Sequence, residues 1–270
     1  MNAMTGALQA DLPIYDERRP ELRLRPAKAW RHFQNLLKDK ENTEEVFHIF
    51  ESLPWRNLRS SAERFLRTER GQALRAREPW LPAILDDHEA LRRMPEGSLA
   101  HAYCDFMERE GLSAQGLVDE FEKFASKHEK FDDQFTWYLN RMRDVHDLLH
   151  VLTGYGRDAL GEACVLAFTY SQQPSPAHLF IGYMAGLNIR KQTRGTAPVL
   201  KAVREGQKLG KACPRLCEQA ITELLPLPID EVRRRLNITP AGHYRHAHAI
   251  WQAIGVDPYD LLGKNAKLAA

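Results

Sequence analysis

Two histidines and two carboxylates lie close together in the segment VHDLLHVLTGYGRDALGE, residues 145–162. His146 and His150 are four residues apart, so on an α-helix their imidazoles project from the same face. Asp147 lies three residues before His150, and Glu162 follows a Thr-Gly-Tyr-Gly break that is typical of a helix end. Imidazoles and carboxylates together suit one divalent ion, either zinc or another first-row transition metal. The sequence therefore predicts a metal site formed by these four residues.

The alternative is that His146 and His150 are an ordinary helical pair, because H-x-x-x-H occurs often without a metal. Asp147, the glycine break and Glu162 favour the metal site. In the zinc-protease helix a glutamate beside the first histidine is the general base. Here that place holds the shorter Asp147, which suits a ligand better than a base. Asp158 can cap a second helix that brings Glu162 back towards the first.

Two arginines flank the predicted metal site. Arg143 lies three residues before His146, and Arg157 lies in the loop that precedes Glu162. Arginine holds a carboxylate through two parallel hydrogen bonds, so both are predicted catalytic residues that orient a substrate acid. The alternative is that they pair with Asp147 or Glu162 and only hold these carboxylates in place.

The elements that position these residues are predicted to be helices. From Pro26 onward apolar residues recur at helical spacing, and no run of alternating strands with hairpin turns is present. The fold class is therefore all-α, a single compact multi-helix domain with the metal site between two consecutive helices. We expect a flexible N-terminal leader over 1–25, the helical domain over 26–240, and a C-terminal helix and tail over 241–270.

Several polar residues predict where helices begin. Ser60 with Glu63 three residues later is a capping-box pattern. Ser113 precedes another helical pattern, and Asp132 or Asp133 precedes the helix that leads into the metal site.

The most apolar predicted helix is Ala177–Ile189, in which Gly182 and Gly186 are four residues apart. It is too short to span a membrane. The glycines either allow close packing in the core or open a groove for an elongated apolar ligand. On the second interpretation Gly182, Tyr183 and Gly186, together with Tyr155 beside the metal site, contact the substrate.

Composition and charge narrow the classes of protein further. The formal net charge of the 270 residues is +2, so no bulk attraction to nucleic acid is expected. The four cysteines form no C-x-x-C pair and no dense framework, which favours the reducing cytosol as the compartment of the protein. Cys164 lies in an apolar run and is predicted to be a buried thiol. The N-terminal residues lack the features of a secretory signal, and a soluble or peripheral protein is expected. The arginines of 56–77 and 233–235 are expected on solvated helix faces.

His243, His246 and His248 form a histidine-rich group near the C-terminus. Their spacing could indicate a second metal site, but no acidic residue or cysteine accompanies them nearby. An ordinary helix is the favoured interpretation.

These motifs resemble the coenzyme Q (ubiquinone) biosynthesis protein 4 family. Its hallmark is H-D-x-x-H, eleven residues and then E, and His146, Asp147, His150 and Glu162 fill these positions. The resemblance runs roughly from Trp80 to Pro240, and further matching segments are Met94–Ala100 before Tyr103, Arg143–Val145, Leu187–Ile189, Glu223–Pro228 and Arg233–Ile238. After Glu162 this chain reads ACVLAF, where many relatives place a lysine and a tryptophan.

The resemblance implies an α-helical homodimer that attaches peripherally to the inner membrane on the cytoplasmic side and holds a polyprenylated quinone intermediate. It also implies other ubiquinone biosynthesis enzymes as partners. The leading hypothesis is metal-dependent oxidative decarboxylation, with hydroxylation, at C1 of a polyprenylated hydroxybenzoate-type ring. The alternative is a lipid-binding scaffold with a structural metal. A metal phosphohydrolase is disfavoured, because it needs further, widely separated His and Asp ligands.

Overall fold

The computed structural model describes residues 12–21, 23–38, 42–126 and 129–261. Within these ranges the chain forms α-helices joined by short loops, with 3₁₀ turns at Leu216–Glu218 and Pro258–Asp260. The helices are α1 (Pro26–Lys38), α2 (Thr43–Ser52), α3 (Leu58–Leu66), α4 (Glu69–Arg77), α5 (Leu81–Leu85), α6 (His88–Arg92), α7 (Leu99–Glu110), α8 (Ala114–Ala125), α9 (Gln134–Asp144), α10 (His146–Thr153), α11 (Ala159–Gln172), α12 (Pro176–Gln192), α13 (Val199–Ala212), α14 (Ile221–Leu224), α15 (Ile229–Arg235) and α16 (Gly242–Ala253).

The predicted all-α class is confirmed. The described ranges contain no β-strand, and their one isolated bridge joins Ser98 to Pro228. None of the described helices is long and apolar enough to cross a membrane. The predicted apolar helix lies within α12, and the Cys164 thiol is buried as expected.

Most of the predicted helix starts are confirmed. The side chains of Ser113, Asp133 and Asp158 accept hydrogen bonds from the first backbone N–H groups of α8, α9 and α11. The prediction for Ser60 is wrong, because α3 begins two residues earlier and the Ser60 hydroxyl donates to the Asn57 carbonyl. Ser60 therefore lies inside the first turn, where its hydroxyl bonds back along the helix.

The described chain divides into two compact units. The first contains residues up to Asp147 together with Arg215–Pro228, and the second contains Leu148–Pro214 and the residues from Ile229 onward. The division falls inside α10, after its second residue. The sequence did not indicate this division, and the predicted domain boundaries at residues 25 and 240 stay predictions.

In the first unit a buried ion pair ties α9 to the 215–228 segment. The Arg141 Nη2 lies 2.6 Å from the Glu78 Oε2, and the two side chains are 1% and 0% exposed. The Arg141 Nε also donates to the Cys217 carbonyl at 2.6 Å. The other Glu78 oxygen accepts from the backbone N–H and the hydroxyl of Thr222. Two charges at such depth are tolerated because each is paired and hydrogen-bonded.

The described part of the predicted leader also packs in this unit. The backbone N–H groups of Gln134 and Phe135, at the start of α9, donate to the Pro13 and Ile14 carbonyls. The Arg19 guanidinium donates to both oxygens of Asp133, at 2.7 Å each. Residues 1–11 and 22 of the predicted leader, and residues 262–270 of the predicted tail, lie outside the described residues.

In the second unit α11 packs against α12 and α13 at very short backbone distances. A Cβ at Gly206 would lie 2.5 Å from the Cys164 carbonyl oxygen, and one at Gly210 would lie 2.2 Å from that of Phe168. Real Cβ atoms do not approach this closely, so both positions of α13 require glycine. This packing holds in place the helix that carries Glu162.

Candidate metal centre

Helix α10 carries both predicted histidine ligands, and a glycine turn ends it. Gly154 has a φ of +74°, the left-handed conformation common just past a helix C-terminus. The Arg233 side chain supports the same end, because its Nε donates to the Leu152 carbonyl at 2.9 Å and its Nη2 to the Val151 carbonyl at 3.2 Å. Two of the last carbonyl groups of the helix therefore accept hydrogen bonds from a side chain that is far away in sequence.

The turn that follows α10 orients the ring of His150. The His150 Nδ1 lies 3.0 Å from the Tyr155 carbonyl oxygen, and the ring is buried. A carbonyl oxygen can only accept, so Nδ1 carries a proton, and in the neutral ring this tautomer has its lone pair on Nε2. Such a backbone bond to the far nitrogen is the usual arrangement for a metal-binding histidine. The Nε2 faces Glu162, whose Oε2 lies 3.6 Å away.

Asp158 and Gly161 bring Glu162 back to this place. The Asp158 Oδ1 accepts from the backbone N–H groups of Leu160 and Gly161 and so begins α11. A Cβ at Gly161 would lie 1.9 Å from the Gly156 carbonyl oxygen. Only glycine therefore allows the first turn of α11 to pack this closely against the preceding loop. Glu162 follows within the first turn, and its side chain is 35% exposed.

Three of the four predicted ligands converge. One potential ligand atom each from His146, His150 and Glu162 lies within 4.8 Å of the other two. Asp147 is not in this cluster. It lies about 100° around the helix from His146 and about 60° from His150, and its side chain is buried. Its role as a ligand stays a prediction.

The donor set fits a divalent transition metal. Two imidazoles and one carboxylate match the ligands of catalytic zinc sites, which keep positions open for water or substrate. The His150 ring is oriented with its Nε2 towards Glu162. The Glu162 side chain is partly exposed, so an ion bound there would be accessible from solvent. No atom of the structure identifies the metal, so zinc stays one prediction among the first-row ions.

The two predicted arginines differ in their surroundings. The Arg143 guanidinium is bound to Asp144, with Nε and Nη2 at 2.8 and 2.7 Å from Oδ1, and it packs on the Trp80 and Phe121 rings. Burial nevertheless raises the pKa of Asp144 to about 6. The Arg157 side chain is 42% exposed, and its Nε lies 3.9 Å from the Glu162 Oε1, too far for a hydrogen bond. Arg157 is the more exposed of the two and lies within ion-pair distance of Glu162, and the catalytic roles of both arginines stay predictions.

The residues predicted to contact a substrate occupy different environments. Gly182 and Gly186 are buried at helix contacts, where added Cβ atoms would lie 3.0 Å from the Ala163 carbonyl oxygen and 3.2 Å from a methyl group of Val203. The Tyr183 hydroxyl donates to the Gln207 side chain at 2.9 Å. The structure thus gives the glycines a packing role, and a prenyl-binding groove at this place stays a prediction.

Tyr155 is different, because its ring is buried and its hydroxyl has no hydrogen-bond partner among the described residues. Burial raises the pKa of this phenol above its ordinary value. A buried phenol of this kind could donate to a polar group of a ligand, so its role in substrate binding stays a prediction.

A second group of potential ligands, His88, Cys104 and Glu108, also meets within 4.8 Å in the first unit. It is less suited to a metal. Burial raises the pKa of the Cys104 thiol, although the thiolate is the form that binds metals. The Glu108 Oε2 is already bound to Arg92 at 2.8 Å.

Sequence reasoning missed the residues that hold the turn between α10 and α11. These are Arg233, which lies in a run expected on a solvated face, and Tyr244 and His248 of α16, which contact Asp158. No local spacing pattern marks their contacts with the turn, since they are separated from it by more than eighty residues.

The all-helical fold and the H-D-x-x-H helix with its returning glutamate agree with the resemblance to a helical ubiquinone biosynthesis family. The model of the family described as "Coenzyme Q (ubiquinone) biosynthesis protein Coq4" matches residues 33–242. Because this match spans most of the chain, the protein belongs to the Coq4 family, as the sequence motifs predicted.

Individual relatives agree with this assignment. The mitochondrial ubiquinone biosynthesis protein COQ4 homologue of Danio rerio is 25% identical over 205 residues, which is 75% of this chain and 72% of that protein. The Bos taurus homologue is 22% identical over 203 residues, 75% of this chain and 74% of that protein.

A crystal structure of a candidate ubiquinone biosynthesis protein from Nostoc punctiforme PCC 73102 matches with a TM-score of 0.53 and 22% identity. The match covers 79% of this chain and 98% of that one. At this identity the likeness supports the fold alone.

Proposed function

We propose that this member of the ubiquinone biosynthesis family is an enzyme that removes the C1 carboxylate of a polyprenylated hydroxybenzoate-type ring and hydroxylates the same carbon. The observation that carries the proposal is the convergence of His146, His150 and Glu162, with Arg157 beside it. This arrangement combines a site for a divalent ion with a guanidinium that can hold an acid. A scaffold with a structural metal would need the ion but not a guanidinium beside it.

In this mechanism His146, His150 and Glu162 would hold the ion, with Asp147 as the predicted fourth ligand. The bound ion would act as a Lewis acid that stabilises the ring phenolate and makes C1 electron-rich. Arg157 holds the carboxylate through two parallel hydrogen bonds until it leaves. The ring gives two electrons to dioxygen, which leaves as hydrogen peroxide. The bond between C1 and the carboxyl carbon breaks, carbon dioxide leaves, and a water molecule supplies the oxygen of the new C1–hydroxyl bond.

The proposal extends to the setting of the reaction. A polyprenylated substrate resides in a membrane, so the protein would act at the inner membrane surface from the cytoplasm. It would work as a homodimer together with the enzymes that precede and follow it. The Danio rerio and Bos taurus relatives are named as mitochondrial proteins. For them, the corresponding membrane would be the mitochondrial inner membrane.

The proposed role of Arg157 is tested by Arg157→Lys, which keeps the charge and loses the planar fork. A charge-assisted hydrogen bond contributes about 1.5–3 kcal/mol, so turnover should fall roughly 10- to 150-fold. The metal content should not change. The measurement is quinone production in a ubiquinone-deficient host, with the accumulating intermediate identified by its mass.

Arg235→Lys is the matched control, because Arg235 is an exposed arginine of the same unit that is ion-paired with Glu231. We expect a C1-carboxylated precursor to accumulate with Arg157→Lys and not with the control. Normal quinone production in both Arg157→Lys and Arg157→Ala would favour the scaffold with a structural metal. Arg143 is less informative, since its replacement would also break the pair with Asp144.

A further inference from the structure

Helix α16 uses one of its three histidines in a contact with the turn between α10 and α11. The His248 Nε2 donates to the Asp158 Oδ1 at 3.1 Å, and the His248 side chain is 15% exposed. His243 and His246 are exposed. The histidine-rich group therefore does not act as one cluster, and His248 alone faces the residue that begins α11.

Tyr244, one turn before His248, binds the same turn at two points. Its hydroxyl donates to the Asp158 Oδ2 at 2.5 Å and accepts from the Gly156 backbone N–H at 2.9 Å. The Tyr244 side chain is buried. A Cβ at Gly156 would lie 2.9 Å from the Tyr244 hydroxyl and 2.4 Å from that of Tyr259, so glycine is what lets the two phenols reach this backbone.

The contacts of Tyr244 continue to the candidate metal centre. Its ring packs edge-on against the Tyr155 ring, with the centroids 5.2 Å apart. The Tyr155 carbonyl is the group that accepts from the His150 Nδ1. One side chain of α16 thus holds both the ring of Tyr155 and the peptide that follows it. Asp158, its other partner, begins the helix that carries Glu162 in its first turn.

We propose that α16 is a positioning element for the metal centre: Tyr244 and His248 hold the turn of residues 155–158 so that the His150 Nε2 and the Glu162 carboxylate face each other. The proposal rests on the proposed function, because it assigns these residues to the same metal site. The family match ends at Gly242, the first residue of α16, so Tyr244 and His248 lie beyond the matched region. Neither Tyr244 nor His248 would touch the ion.

The test is the affinity of the full chain for Zn²⁺, measured by competition with a chromophoric chelator. Tyr244→Phe removes one hydroxyl and keeps the ring. Loss of a group that orients a metal ligand typically weakens binding by roughly 10- to 100-fold, and we expect a loss in this range. His246→Ala, an exposed histidine of the same helix, is the matched control and should bind Zn²⁺ with the affinity of the unaltered chain.

A second readout separates positioning from a general loss of stability. In the metal-free protein, ¹⁵N spectra should show His150 protonated at Nδ1, and Tyr244→Phe should shift it towards a mixture of tautomers. Where Tyr244→Phe does not fold, His248→Ala replaces it, with weaker Zn²⁺ binding again expected. Unaltered affinity and tautomer in a folded variant would overturn the proposal, as would an equal loss in His246→Ala. An unaltered chain that binds no Zn²⁺ would overturn the proposed metal site itself.

Discussion

Replacing Arg141 by methionine is expected to lower the free energy of unfolding by about 3–5 kcal/mol. The Glu78 carboxylate beside it is fully buried, and methionine would leave that charge without its partner. The backbone carbonyls of Cys217 and Gln219 would lose their donors at the same time. Urea-induced unfolding followed by circular dichroism measures the change.

Two further variants make this prediction specific. Arg77→Ala breaks an exposed ion pair with Glu223 on the neighbouring helix and should change stability little. The double variant Glu78→Gln with Arg141→Met removes both charges, so it should be more stable than Arg141→Met alone. An effect of Arg141→Met no larger than that of Arg77→Ala would show that the buried pair does not stabilise the first unit.

The second large effect is expected at the metal centre. His150→Ala removes the ligand whose Nε2 faces Glu162, so bound metal should fall from one ion per chain to almost none after dialysis. Losing a group that merely supports a ligand costs about 10- to 100-fold in affinity, and losing a ligand should cost at least as much. Elemental analysis of protein purified without added metal measures the ratio of ion to chain.

The controls separate this site from other metal-binding side chains. His246→Ala removes an exposed histidine of α16, and Cys104→Ser removes a member of the second ligand group. Both variants should retain the ion. If His150→Ala and Glu162→Ala keep the stoichiometry of the unaltered chain, the ion is bound elsewhere.

The parts of the site that could be predicted from the sequence are those that depend on local helical geometry. A spacing of four places His146 and His150 on one face, and Asp158 caps the helix that carries Glu162. Both relations follow from the helical repeat and from the capping preference of aspartate.

Other parts could not be predicted, because they depend on side chains that meet only after folding. Tyr244 lies 88 residues after the backbone N–H of Gly156 that it accepts from, and Arg233 lies 81 residues after Leu152. The glycines of α12 suggested a groove, yet their neighbours in space are α11 and α13. A spacing pattern cannot distinguish a glycine beside a ligand from a glycine beside another helix.

The central claim is that a divalent ion at His146, His150 and Glu162 is required for C1 decarboxylation. The most direct test uses the full chain, stripped of metal with a chelator and reloaded with graded amounts of a first-row divalent ion. Its substrate is a polyprenylated hydroxybenzoate that carries ¹³C in the carboxyl group, supplied with dioxygen. We predict release of ¹³CO₂ that rises with the ion and saturates at one ion per chain, with none from His150→Ala. Equal release from the stripped protein, or no release at any ion content, would contradict the account.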